Sequence, residues 1–248
     1  MIPFPREMRA SALALLLLAT AGCTGDDAPA GSAAGSAAGS AAGRVEVRTV
    51  RDDSTGAELP RVALAGRGEV EARVNTALDS LARSLRCDPE TQAPGAPAST
   101  FETRTSVTHA ADDVLSVSVH ASYYCGGPYP TNDANLSVTY DLATGAAVPF
   151  EALFRDYDAN RAAITGVLQT SLQPAASDME DCDDLFTAEA LAATTFDYTI
   201  SPAGLDVQPA FPHVIEACAV TATVPLASLR AFAPDGGVLA RVADAAAQ

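Results

Sequence analysis

Apolar residues recur along this chain at two periods, and their order sets out a fold. Residues 44–50 (RVEVRTV) place Val45, Val47 and Thr49 on alternate positions, as a strand does. Residues 68–85 carry Val70, Val74, Leu78, Leu81 and Leu85 at helical spacing, which predicts an amphipathic helix ended by a loop at Pro89, Pro94, Gly95 and Pro97. Three strand-like runs follow, at 101–109, 114–124 and 135–142. Asp112 and Asp113 make a hairpin turn between the first two, and residues 126–133 form a longer connection. After a turn at Ala143-Thr144-Gly145 and the stretch 150–154, a second helix is expected at 158–172 with Asp158 as its N-cap. A short helix at 187–193 precedes three closing strands at 195–200, 205–208 and 214–225. Grouped strands with segregated helices predict an α+β domain: an antiparallel sheet with two main helices packed on one face.

The pleat assigns faces. Along 114–124, Leu115, Val117, Val119, Ala121 and Tyr123 point one way, and Ser116, Ser118, His120, Ser122 and Tyr124 the other. Leu136, Val138, Tyr140 and Leu142 oppose Ser137, Thr139 and Asp141, and Glu102, Arg104, Ser106 and Thr108 continue the polar side. One face should cover the helices and the other meet water, either as a plain solvated surface or as a docking surface.

The first residues fall outside this pattern. Arg6 and Arg9 precede the apolar run 11–19 (SALALLLLA), and small residues lead to Cys23. The run is shorter than the roughly 20 residues of a membrane-spanning helix and has the flanks of a signal peptide. Residues 1–22 therefore read as a lipoprotein signal peptide, with lipid added to Cys23. The alternative is an ordinary secretory signal beside an incidental cysteine. The Gly/Ser/Ala-rich stretch that follows reads as a flexible tether to residue 43, leaving residues 44–248 as a single domain. No Asp directly follows Cys23, which by the sorting rule of two-membrane bacteria points to the outer membrane, facing the periplasm.

Composition narrows the partners. The formal net charge is −16, and every basic side chain apart from histidine is an arginine. That balance argues against nucleic acid and leaves the lipid as the means of membrane attachment. It favours a cationic partner, although solubility is the simpler explanation. Without lysine there is no Schiff-base chemistry, and without tryptophan the strongest sugar-stacking ring is missing. Besides Cys23 there are Cys87, Cys125, Cys182 and Cys218, an even set that in an exported chain reads as two disulfides. Three connectivities are open; pairing each half internally gives Cys87–Cys125 and Cys182–Cys218. No CxxC spacing suggests zinc.

Chemistry is sparse. His109, His120 and His213 are the only histidines, and neither G-x-S-x-G nor H-E-x-x-H occurs. His120, flanked on its face by Ser118 and Ser122, is the one histidine in polar company, as a binding group or simply as a surface residue. Asp156, Asp158 and Asn160 superficially resemble a calcium loop, but Arg161 stands where glycine is required and Val167 where the bidentate glutamate belongs. The acidic run 178–184 (DMEDCDD) is a solvated loop or a weak calcium site. Gly126-Gly127-Pro128-Tyr129-Pro130 should form a rigid shaped loop. Tyr123, Tyr124 or Tyr129 beside it could stack on a glycan, fill a partner's cleft, or pack over the sheet edge. His120, Tyr124, Gly126, Gly127 and Tyr129 are thus the candidate binding residues. No catalytic residue, metal ligand or cofactor is indicated.

Several segments follow one another in a recognisable order. Glu58-Leu59-Pro60 before 70–81 (VEARVNTALDSL) is similar to a proline-containing strand followed by a helix with an "IN" pair, here Val74-Asn75. Leu115-Ser116-Val117 with 123–130 (YYCGGPYP) resembles an "LSV…Y-GGAHP" block. Residues 140–145 (YDLATG) resemble a "DL-TG" turn, and 196–205 with 224–229 (VPLASL) a closing strand and "vPyseL" ending. In this order the segments resemble the extracellular domain of RsiV-type anti-sigma factors and the non-catalytic region of peptidoglycan deacetylases, and the resemblance spans about residues 45 to 232. It implies a non-catalytic module at the cell envelope that binds or senses a lysozyme-like protein or a cell-wall glycan; the alternative is a peptidoglycan-modifying enzyme or an accessory subunit of one. Tyr129 stands where the block commonly has histidine, so a role for that histidine does not transfer, and no sigma-binding segment is evident.

Overall fold

The computed structural model describes residues 45–51, 58–84, 100–111, 113–124, 132–179 and 181–247. Cys23, expected to carry lipid, the expected signal and tether, Cys87, Cys125, Gly126, Gly127 and Tyr129 lie outside the described residues, and with them the expected Cys87–Cys125 pairing. The α+β class and the antiparallel pairing are as the patterning predicts, but the strands divide into three sheets. β1 (Val45–Arg51) pairs with β2 (Glu58–Leu64). β3 (Thr100–Ala111), β4 (Val114–Tyr124), β5 (Asn132–Asp141) and the two-residue β6 (Ala146–Ala147) form the central sheet in that order. β7 (Phe196–Ser201), β8 (Gly204–Pro209) and β9 (Ala222–Val224) form the C-terminal sheet. The helices are α1 (Gly68–Ser84), α2 (Tyr157–Ala175), α3 (Ala188–Ala192), α4 (Leu226–Leu229) and α5 (Val238–Ala246).

Two hydrophobic clusters follow from the two periodicities. Val74 and Leu78 of α1 lie four residues apart on one stripe and are fully buried with Leu115, Val117 and Val119 of β4. In α2, Ile164, Leu168 and Leu172 bury against the apolar face of the C-terminal sheet, where Ile200, Leu205 and Val207 alternate with polar positions. α1 and α2 therefore serve different clusters.

β2 shows how an edge strand is closed without another strand. Val62 N–H and C=O both bond to the Asn75 side chain, and Leu64 N–H donates to Glu71 Oε2 at 2.8 Å. At its other end, Glu58 N–H donates to Thr103 Oγ1, and Thr105 donates to Glu58 O. These residues share one parity along β2, the one facing away from β1. Pro60 falls on the same parity, where a residue without an N–H leaves no donor to satisfy. The Asn75 of the "IN" pair is thus a main-chain clamp.

The turn after β5 has a similar role. Asp141 O accepts the amides of Thr144 and Gly145, and Gly145 takes φ +73°, with Val70 Cγ1 only 3.2 Å from where a Cβ would stand. Arg73 donates to Thr144 O, Arg67 to Leu142 O and to Asp113, and Arg241 of α5 to Asp141 Oδ1 at 2.7 Å. The "DL-TG" residues thus tie α1, the central sheet and α5 together.

Three sequence expectations need correction. α2 begins at Tyr157 behind Asp156, which sits in the left-handed region without a side-chain cap, so Asp158 lies in the first turn and is not the N-cap. Residues 214–225 do not form one strand: the 3-10 turn His213–Cys218 follows Pro212, and only Ala222–Val224 pairs. The polar face of the central sheet is not wholly given to water, because Ser116 and Thr139 are fully buried beneath β7. α5 was not foreseen at all. The short helix α3 does form, with Thr187 Oγ1 accepting Ala190 N–H as its cap.

Candidate functional site: a cleft between two polar sheet faces

Register brings the polar side chains of the central sheet into rows. Arg104, His120 and Asn135 stand opposite one another across β3, β4 and β5, and Ser106, Ser118 and Ser137 form the next row. Exposure falls along β4, from His120 at the surface through the half-buried Ser118 to Ser116, which is 0 % exposed. At the buried end Ser116 joins the sheets: its Oγ lies 2.9 Å from Thr139 Oγ1 and accepts Ile200 N–H at 2.9 Å. Nearby, Tyr198 donates its phenol to Val148 O at 2.5 Å, and burial holds its pKa well above the usual phenol range.

The C-terminal sheet has its own polar face. Thr199, Asp206 and Thr223 form one row, and Asp197 lies opposite Gln208. Where this face meets the central sheet, a cleft of about 200 Å³ opens between Ser118, Asn135 and Ser137 on one side and Asp197, Thr199, Asp206 and Gln208 on the other. A second recess of about 350 Å³ shares Ser137, Asp197 and Tyr198, and continues past Val148, Phe150 and Glu151. Among the described residues, the charged side chains lining the two recesses are Asp197, Asp206 and Glu151, all acidic.

These groups differ in readiness. Asp206 Oδ1 accepts the Thr223 hydroxyl at 2.5 Å, so part of its hydrogen-bonding capacity is used. Asp197 keeps much of its surface at the cleft mouth, yet the protein around it removes enough water to raise its carboxyl pKa. A desolvated carboxylate flanked by hydroxyls and amides favours a ligand that brings positive charge and hydrogen-bond donors.

Of the sequence candidates, His120 reaches a residue of this cleft: its Nδ1 lies 2.9 Å from Asn135 Oδ1. Tyr124 is half-buried on the same face of β4, four residues on and so about 13 Å further along the strand. The two do not converge. His109 lies on β3 and His213 opens a 3-10 turn, so the histidines sit on three separate elements. Among the described residues no group of three or more His, Cys, Asp and Glu is placed to hold a metal ion. Asp197, Asp206 and Gln208 were missed by sequence reasoning. The alternation in FDYTIS and GLDVQP signalled that they share a face, but not which surface that face would meet.

Cys182 and Cys218 form a disulfide with Cα atoms 5.7 Å apart, fixing the acidic segment around 181–184 to the 3-10 turn that leads towards β9. Of the three connectivities open in the sequence, this bridge belongs to the one that pairs each half internally.

No protein-family model matches the sequence, and no curated protein matches it. Solved structures do. A DUF3298 family protein from Pseudomonas aeruginosa PAO1 covers 77% of this chain and 94% of its own at 8% identity and a TM-score of 0.49. The fold is similar to that of a DUF3298 family member from Bacteroides fragilis NCTC 9343, with a TM-score of 0.55 at 12% identity over 82% of this chain and 98% of that one.

Proposed function

We propose that this chain is an exported lipoprotein, anchored through Cys23 at the outer membrane and facing the periplasm, whose folded domain is a non-catalytic binding or sensing module. The observation that carries the reading is the cleft between the two polar sheet faces, whose charged lining among the described residues is acidic. Electrostatic complementarity then selects a partner with an exposed positive group, either a lysozyme-like protein or a cell-wall glycan with free amines. The ordered resemblance to RsiV-type extracellular domains and the DUF3298-like fold support a divergent member of that group.

Two measurements test this. Cys23→Ser should move the protein from the membrane to the soluble fraction, and membrane retention would remove the anchor. Immobilised full-length protein should retain lysozyme or purified sacculi at low salt and release them as salt rises. Retention of neither at any salt would remove the binding reading.

A further inference from the structure

β5 is longer than the strand that covers it. β6 pairs only with Tyr140 and Asp141, and Val148 N–H adds one bond to Thr139 O at 2.8 Å. The register of β5 against β4 runs without a shift from Asn132 to Asp141, so main-chain directions alternate strictly. Thr139 O accepts from outside the sheet, as does Asp141 O. Ser137 and Asn135 have the same parity, so their N–H and C=O also point outward, and among the described residues no strand takes them.

The 350 Å³ recess lies along this edge. Ser137, Val138 and Thr139 all line it, and three consecutive strand residues can border one space only at the strand's edge, because their side chains alternate between faces. Across it stand Asp197 and Glu151, and among the described residues no arginine lines it. The contrast with β2 is informative. There an outward proline and side chains from Asn75, Glu71, Thr103 and Thr105 close the edge, whereas residues 132–138 (NDANLSV) contain no proline and no basic residue, and Asp133 as their one charge. An open edge without such protection is a template for a further strand.

We infer that the outer edge of β5 at residues 135–139 receives an extended, cationic segment of a partner protein, which adds as a strand and sets a basic side chain against Asp197 and Glu151. The inference rests on the proposed binding role and narrows it to a protein partner. Main-chain bonds to Asn135 and Ser137 supply affinity, and the acidic wall selects the side chains. Asp206 is the remaining charged group at the joined cleft and reinforces the same sign.

The test uses the full-length protein and an eight-residue peptide of alternating Arg and Thr carrying a fluorophore, read by anisotropy. Two further peptides are N-methylated, one on every Arg and one on every Thr, so that each loses the donors of one edge. The parent peptide should bind, and one methylated form should bind at least about tenfold more weakly while the other resembles the parent. Asp197→Asn and Ser137→Pro should each weaken the parent by about fivefold or more; the proline deletes an outward donor and leaves the bonds to β4 in place. Should Ser137→Pro fail to fold, as judged by circular dichroism, the methylated pair still decides. Equal binding of all three peptides would overturn strand addition even if Asp197→Asn weakens them, and that result would leave the acidic cleft standing. No peptide binding, or binding of sacculi in place of peptide, would also overturn the edge while leaving the broader binding role to the retention experiment.

Discussion

Asn75 holds both main-chain groups of Val62: Oδ1 accepts its N–H at 2.9 Å, and Nδ2 donates to its C=O at 2.9 Å. Val62 is 3 % exposed, so water does not readily replace the amide. Asn75→Ala leaves a buried donor and a buried acceptor unsatisfied and should cost about 2–4 kcal/mol. Asn75→Asp keeps the acceptor alone and should fall between. Urea melts with unchanged slope and a lowered midpoint would bear this out; wild-type stability in Asn75→Ala would show that the clamp is dispensable.

This clamp also marks how far the sequence could be read. The stripe of Val74 and Leu78 announced α1, because a 3.6-residue period has few other causes, and the alternation along β4 announced a two-faced strand. Neither pattern states what a polar face meets. Ser116, Ser118 and His120 have the same pattern in sequence yet run from fully buried to exposed, since β7 closes over Ser116 through the Ile200 N–H bond and leaves His120 at the surface. The cleft was invisible for that reason: it arises where two polar faces meet across a long chain separation. α5 was illegible for a different reason. Its nine residues, VLARVADAA, do set apolar and polar positions on different faces, but they fall short of the roughly 11–18 residues over which a helical period is counted. The strand expected at 214–225 failed because its apolar residues lack strict alternation and Pro212 starts a 3-10 turn.

Ser116 is the test of the junction between the sheets. Its hydroxyl lies between Thr139 Oγ1 and Ile200 N–H in a region closed to water. Ser116→Ala should cost about 1–3 kcal/mol, mostly from the orphaned Ile200 amide. Hydrogen exchange should speed at Ile200 before it speeds in α1, which belongs to the other cluster. Uniform acceleration over both clusters would argue against a local junction.

Gly204 sits in the tight β7–β8 turn with φ +157°, and a Cβ there would come within 2.4 Å of Val224 O. That atom is backbone in the pairing strand, so no side chain can swing aside. Gly204→Ala should separate β8 from β9 and cost more than about 3 kcal/mol, beyond the roughly 1–2 kcal/mol of an unfavourable φ alone. A Tm within a degree of wild type would contradict the pairing of Leu205 with Val224.

The Cys182–Cys218 bridge closes a loop with a sequence separation of 36. Chain-entropy reasoning gives about 4 kcal/mol for a loop of that size. The double variant Cys182→Ala, Cys218→Ala should lose roughly that amount, with the loss concentrated in the α2 cluster to which Cys182 belongs. Equal stability with and without the bridge would show that the packing of Cys182 against its neighbours suffices.

Asp197 links stability to function. Desolvation raises its pKa from the ordinary 3.8, so the folded chain holds this proton more tightly than the unfolded one. At pH 3 both states are largely protonated and the group costs nothing. As pH rises past the unfolded value towards the raised folded one, the unfolded chain ionises first, and the folded state loses stability up to that second value. Asp197→Asn should therefore match wild type near pH 3 and exceed it at pH 7. Asp206 lines the same cleft, so the comparison belongs in an Asp206→Asn background as well, while Tyr198 stays neutral throughout this range. The same substitution is expected to weaken binding of a cationic partner, so one change should raise stability and lower affinity together. If Asp197→Asn is no more stable than wild type at pH 7, the desolvated carboxylate is not a cost to the fold, and the argument that it is held in place for a ligand fails.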